Sequence, residues 1–161
     1  MSIFKMVIVF LIIALILSIL FLFPVNNRIK NKDYISELIV INETKISLDV
    51  MIDVSGRKNF IGFLHYNTSK TEGFGPAFGV PGIVSVFWSL EEQGPDYLCN
   101  KADFDLKEVK IPKDICKTKF TYKGDGVWSL ELYSNSNKEK PSVELTANSV
   151  KLEPPYKVPP R

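Results

Sequence analysis

Few side chains in this sequence can do covalent chemistry. His65 is the only histidine, and nucleophilic catalysis needs a base beside a Ser, Cys or Thr. Leu64 and Tyr66 flank it in strand-like sequence and no G-x-S-x-G elbow is present, so His65 reads as a half-exposed strand residue. Carboxylates are more plentiful. Glu91-Glu92-Gln93 and Asp96 share one loop, and Asp103, Asp105 and Glu108 follow shortly after. Two such groups facing each other across a cleft could hydrolyse a glycoside, and a loop of them could hold calcium. Neighbours in sequence need not face each other, however, and the EF-hand spacing is absent. Solvated loop carboxylates are the simpler reading, with no catalytic residue, no metal site and no cofactor expected.

The remaining reactive groups are the two cysteines, Cys99 and Cys116. Even with His65 they cannot complete a four-ligand zinc site without carboxylates. In an exported domain they predict a disulfide closing a loop of about 17 residues, contributing on the order of 3 kcal/mol. In a reducing compartment they would be two separate buried thiols.

Binding chemistry is better represented. The segment Gly73-Phe74-Gly75-Pro76-Ala77-Phe78-Gly79-Val80-Pro81-Gly82 is almost free of polar side chains. Phe74, Pro76, Phe78 and Val80 could bury in a partner or a membrane, glycine giving the loop adaptability and phenylalanine the anchoring area. Alternatively the two phenylalanines fold back to cap the core. Glu91, Glu92 and Asp96 form the second binding candidate. Trp88, Trp128, Tyr122 and Tyr133 could build a sugar-stacking platform, but Trp128 alternates in step with Leu130 and Leu132, which points to core packing. Two N-glycosylation acceptor patterns, Asn42-Glu43-Thr44 and Asn67-Thr68-Ser69, are close to the number chance supplies.

The elements that must position these residues are strands. From Tyr34 onward the apolar period is two. Residues 37–42 form a short apolar strand, and Ile46, Leu48, Val50, Ile52 and Val54 alternate with Ser47, Asp49, Met51 and Asp53. Ser55-Gly56-Arg57-Lys58 turns that strand into a second one over residues 60–66. Residues 67–81 read as a long loop, 82–90 as a strand buried on both faces, 91–103 as a second loop, and 104–111 as a mixed strand. A second hairpin runs from Cys116 through Gly124-Asp125-Gly126 to Tyr133, and residues 143–152 supply one or two last strands. No helical caps with a helical stripe occur in this part. Seven to nine strands with frequent turns predict an all-β antiparallel β-sandwich of immunoglobulin-like or jelly-roll type, or else an eight-stranded barrel. The last nine residues hold four prolines and are expected to leave the sheet as an extended polyproline tail.

Ahead of the domain lies an apolar run, residues 6–23, whose only polar side chain is Ser18. At a helical rise of about 1.5 Å per residue it covers most of a bilayer core. It is too long for a secretory h-region, and no small-residue cleavage pattern follows, so a retained single-pass transmembrane helix is expected. It contains no Glu and so lacks the pilin pattern. The expected organisation is an anchor over residues 1–25, a basic juxtamembrane linker over 26–33, the sandwich over 34–152 and the tail over 153–161. Arg28, Lys30 and Lys32 favour a cytoplasmic domain by the positive-inside rule. The signal-like position of the run and the even cysteine count favour an extracytoplasmic one, which is the reading adopted.

Behind the run the basic and acidic residues number nineteen and eighteen, with no basic patch, so a nucleic-acid partner is not expected. The expected partners are the lipid bilayer, through residues 6–23, and a protein in a membrane or surface assembly. The expected function is a membrane-anchored, non-enzymatic protein-interaction module. The alternatives are a carbohydrate- or small-ligand-binding extracytoplasmic domain and, less favoured, a tethered hydrolase.

Overall fold

The computed structural model describes residues 36–54, 56–73, 82–93 and 96–159. The expected membrane run lies outside these residues, as do Phe74, Pro76, Phe78 and Val80. Among the described residues no helix is long and apolar enough to cross a membrane.

Among the described residues ten strands form two sheets: β1 (Glu37–Asn42), β2 (Leu48–Val54), β3 (Arg57–Leu64), β4 (Thr68–Gly73), β5 (Ile83–Leu90), β6 (Tyr97–Asp105), β7 (Ile115–Gly124), β8 (Val127–Ser134), β9 (Val143–Asn148) and β10 (Val150–Lys157). One sheet has the order β4-β1-β7-β8-β9 and the other β10-β6-β5-β2-β3. The expectation of a two-sheet β-sandwich holds. It is not wholly antiparallel, because β1 and β7 pair in parallel, Val40 opposite Phe120.

Alternation puts one side chain in two from the inner strands into a shared interior. Leu38 and Val40 of β1, Phe120 and Tyr122 of β7, and Trp128, Leu130 and Leu132 of β8 meet Leu48, Val50 and Ile52 of β2, Val84, Val86 and Trp88 of β5, and Phe104 of β6 in one core cluster. The sheets touch through aromatic rings. Trp88 and Tyr122 have centroids 4.9 Å apart, and Phe104 and Phe120 5.9 Å apart, both within the range where ring pairs attract.

Several elements differ from expectation. Residues 68–73, read as loop, form strand β4. It is an edge strand exposed along nearly its whole length, so neither face buries and no apolar period exists to reveal it. Strand β6 occupies residues read as loop. Its inward positions are Leu98, Asn100, Ala102 and Phe104, and the half-buried Asn100 interrupts the apolar series. The expected strand over 104–111 is instead mostly a connection whose Leu106, Val109 and Ile111 pack on the core cluster. The proline-rich end does not leave the fold. Strand β10 pairs with β6 through Val150–Lys101 and Lys151–Asn100, and again through Tyr156–Leu98 and Lys157–Tyr97, with a register shift between. Pro154 and Pro155 fall within that irregular stretch on a sheet edge, where no ladder donor is needed from them.

The hairpin turn at Gly124, Asp125 and Gly126 is as expected, with φ of +99°, +51° and +77°, a backbone that favours glycine.

Candidate binding groove

A groove of about 460 Å³ is lined by Lys45, Ile46, Ser47, Tyr66, Leu90, Glu91 and Glu92, a volume in the range of small-ligand and peptide-anchor pockets. Three connections build it: β1–β2, β3–β4 and the start of β5–β6. They meet at the Asn42 end of β1, opposite the Glu37 end where the preceding chain joins.

Asn42 is the knot of this end. It is 1% exposed and its amide is fully used. Nδ2 donates to Ile46 O at 2.6 Å and to His65 O at 3.1 Å. Oδ1 accepts from Thr44 N at 3.0 Å and from Thr44 Oγ1 at 2.7 Å. One side chain thereby ties the β1–β2 connection to the β3–β4 connection, pairing with backbone groups of both. Asn67 adds a second tie, its backbone N donating to Thr44 O at 3.1 Å from a φ of +49°. Thr68 Oγ1 donates to His65 O at 2.7 Å. The third wall is fastened by Glu91 N donating to Ser47 O at 3.2 Å and by Leu90 N donating to Gln93 Oε1 at 3.2 Å.

On this braced frame stand apolar side chains that water would otherwise not favour. Ile46 is 46% exposed and Tyr66 58%. Beside them Glu91 and Glu92 project from a single 3₁₀ turn, Glu91–Gln93. An apolar surface rimmed by carboxylates can bind.

The expected site residues are therefore divided. Glu91 and Glu92 line the groove, while Asp96, on the same connection, does not; its carbonyl accepts from Val158 N at 2.9 Å. The flanks of the Gly-Pro-Phe segment attach at the other end of the sandwich. Gly73 pairs with Glu37, and Gly82 O accepts from Leu106 N at 2.8 Å. Lys45, Ile46, Ser47, Tyr66 and Leu90 were not anticipated as site residues. Ile46 continues the period-two series of β2 and so imitates a core position, although the strand itself begins only at Leu48.

The expected disulfide is not formed; Cys99 and Cys116 are both free thiols. They stand in different sheets, Cys99 on β6 with the parity opposite to inward-facing Leu98 and Ala102. Cys116 lies in the register shift between Ile115 and Lys117, with Sγ 3.6 Å from Tyr133 O. The sugar-stacking platform is also unavailable, since Trp88, Trp128, Tyr122 and Tyr133 are 5%, 0%, 2% and 7% exposed. Trp88 Nε1 donates inward to Ser149 Oγ at 2.8 Å. His65 is exposed and packs edge-on against Phe63, with centroids 4.6 Å apart. Among the described residues no three His, Cys, Asp or Glu side chains gather as metal ligands.

A second polar cluster lies on the outer face of β7 and β8. Lys119 Nζ is 2.8 Å from Glu131 Oε2, and Tyr133 OH donates to the same carboxylate oxygen. Lys117 Nζ sits 4.2 Å from the Tyr133 ring centroid, within cation–π range. Burial would raise the Glu131 pKa, but hydrogen bonds from Lys119 and Tyr133 and the lysine charge outweigh it and hold the carboxyl below its ordinary value. Burial and the Glu131 hydrogen bond together push the Tyr133 hydroxyl up. For Lys119, burial acts to lower the pKa, and the hydrogen bond and charge of Glu131 reverse it to a net rise. This cluster clamps the adjacent strands β7 and β8.

No family model matches the chain, and no curated protein matches it. Among solved structures, the NMR structure of a protein from Eubacterium rectale is similar with 12% identity and a TM-score of 0.37, covering 65% of this chain and 92% of that one. A likeness of that degree carries no argument about this protein.

Proposed function

We propose that this protein is a membrane-anchored, non-enzymatic binding module, tethered by the apolar run at residues 6–23 and engaging a protein partner through the groove at the Asn42 end of its sandwich. The observation that carries the reading is the exposure of Ile46 and Tyr66 on connections held rigid by Asn42. Apolar side chains on a pre-organised frame bind with little ordering cost, and a handful of such anchors supplies most of the energy of an interface. Tethering in a plane raises effective concentration, so a weak groove suffices. The hydropathy of the run supports the tether.

The exposed ring of Tyr66 beside Glu91 and Glu92 gives the carbohydrate-binding alternative one specific support, because a sugar could stack there. Ile46 and Leu90 argue the other way, since aliphatic side chains offer sugar hydroxyls no partner.

The test is affinity capture with the full-length, membrane-embedded chain as bait, comparing wild type with an Ile46→Glu/Tyr66→Ser variant. Both residues are surface-exposed, so the variant should keep the wild-type thermal midpoint while losing the captured protein. Undiminished capture by a folded variant would refute the groove as the interface.

A further inference from the structure

The charge around the groove points to the chemistry of what enters it. We infer that its occupant is a short peptide segment carrying an aliphatic side chain next to lysine or arginine, an inference that rests on the binding function proposed above. The connections over residues 43–47, 65–67 and 91–93 carry Glu43, Glu91 and Glu92 against Lys45, three negative charges to one positive, a balance of −2. The whole chain is +2 with histidine neutral, so these three connections run against the molecule's overall sign. Complementary charge steers encounter and rejects wrong partners more than it adds affinity. The apolar surface of Ile46, Tyr66 and Leu90 supplies the attraction, and the two glutamates select for a cation beside the buried group.

The geometry favours recognition through side chains over strand addition. The groove is walled by connections and the 3₁₀ turn at Glu91–Gln93, not by an open strand edge. Glu91 N is already committed to Ser47 O and Leu90 N to Gln93 Oε1, so those amides are closed to an incoming backbone. Both glutamates are exposed; their attraction is therefore screened by salt over a Debye length of about 8 Å at physiological ionic strength.

The experiment uses the full chain in phosphatidylcholine nanodiscs and three fluorescein-labelled heptapeptides, one alternating lysine with leucine, one glutamate with leucine and one lysine with serine. Anisotropy is read against empty nanodiscs. The lysine–leucine peptide should bind above the empty-disc background, weaken as salt rises, and weaken by at least about tenfold in a Glu91→Lys/Glu92→Lys variant of unchanged thermal midpoint. The other two peptides should bind at least about tenfold more weakly than the lysine–leucine peptide. Equal binding of the glutamate–leucine or lysine–serine peptide overturns the inference, as does indifference to the charge reversal or absence of lysine–leucine binding. Should the Ile46→Glu/Tyr66→Ser variant still lose its captured partner while charge reversal has no effect, the partner chemistry falls and the binding function stands. A captured glycan in place of a protein overturns both.

Discussion

Asn42 is the residue on which the groove depends. Three of its four hydrogen bonds engage part-buried backbone groups of Thr44, Ile46 and His65, and the fourth takes the Thr44 hydroxyl. Asn42→Ala should cost about 1–3 kcal/mol by leaving the Thr44 N–H without its acceptor and taking one of two donors from the Ile46 and His65 carbonyls, and Asn42→Asp more, because a carboxylate would face two carbonyl oxygens. Urea unfolding reads this directly; a loss within error of zero for both variants would show that the tie is dispensable. Glu131 makes a different prediction. Its carboxyl pKa is lowered in the fold, so its contribution is present above the unfolded value and lost as pH falls through the folded one. Glu131→Gln should therefore destabilise by about 1 kcal/mol near neutral pH, with the gap to wild type closing as pH drops below the ordinary carboxylate value of 4.5. A gap independent of pH would mean that packing, not charge, holds the clamp.

Among the elements, β10 is the most weakly held. Two short stretches of pairing join it to β6, and its main attachment elsewhere is Tyr156. That ring lies 5.3 Å from Phe87 and 4.3 Å from Lys58 Nζ, and its hydroxyl is 2.7 Å from the same ammonium. Tyr156→Ala should accelerate amide exchange along β10 and at Val158 while leaving β7 and β8 protected, since local openings follow local contacts. Uniform acceleration would show instead that β10 opens only with the whole fold. The same element shows where sequence reading stops. The period-two pattern of β2, β7 and β8 was legible because each buries one face, and β1 and β5 were legible as apolar runs. β4 buries neither face and β10 carries prolines that only an edge permits, so propensity and period both misdirected. Cys99 and Cys116 invited a disulfide through count and spacing alone, whereas sheet membership, a non-local property, keeps them apart. At the groove Glu91 and Glu92 were legible as loop carboxylates. Ile46 was not, because a residue two positions before a strand shares the strand's parity without sharing its burial.

At the scale of the whole molecule the domain is polar in the directional sense. The chain enters at the Glu37 end, where the flanks of the Gly-Pro-Phe segment also attach, and the groove opens at the Asn42 end. Six residues of strand at about 3.4 Å each separate the two by roughly 20 Å. Without a disulfide, stability rests on the shared core between the sheets, so the domain should tolerate a reducing environment.

The most direct test is site-specific photocrosslinking in intact membranes, with a benzophenone side chain replacing Tyr66 in the groove or, as a control, the exposed Thr146 on edge strand β9. A discrete protein adduct at position 66 and none at 146 is the predicted result. An adduct at 146 alone, or equal adducts at both positions, would contradict the groove as the binding site.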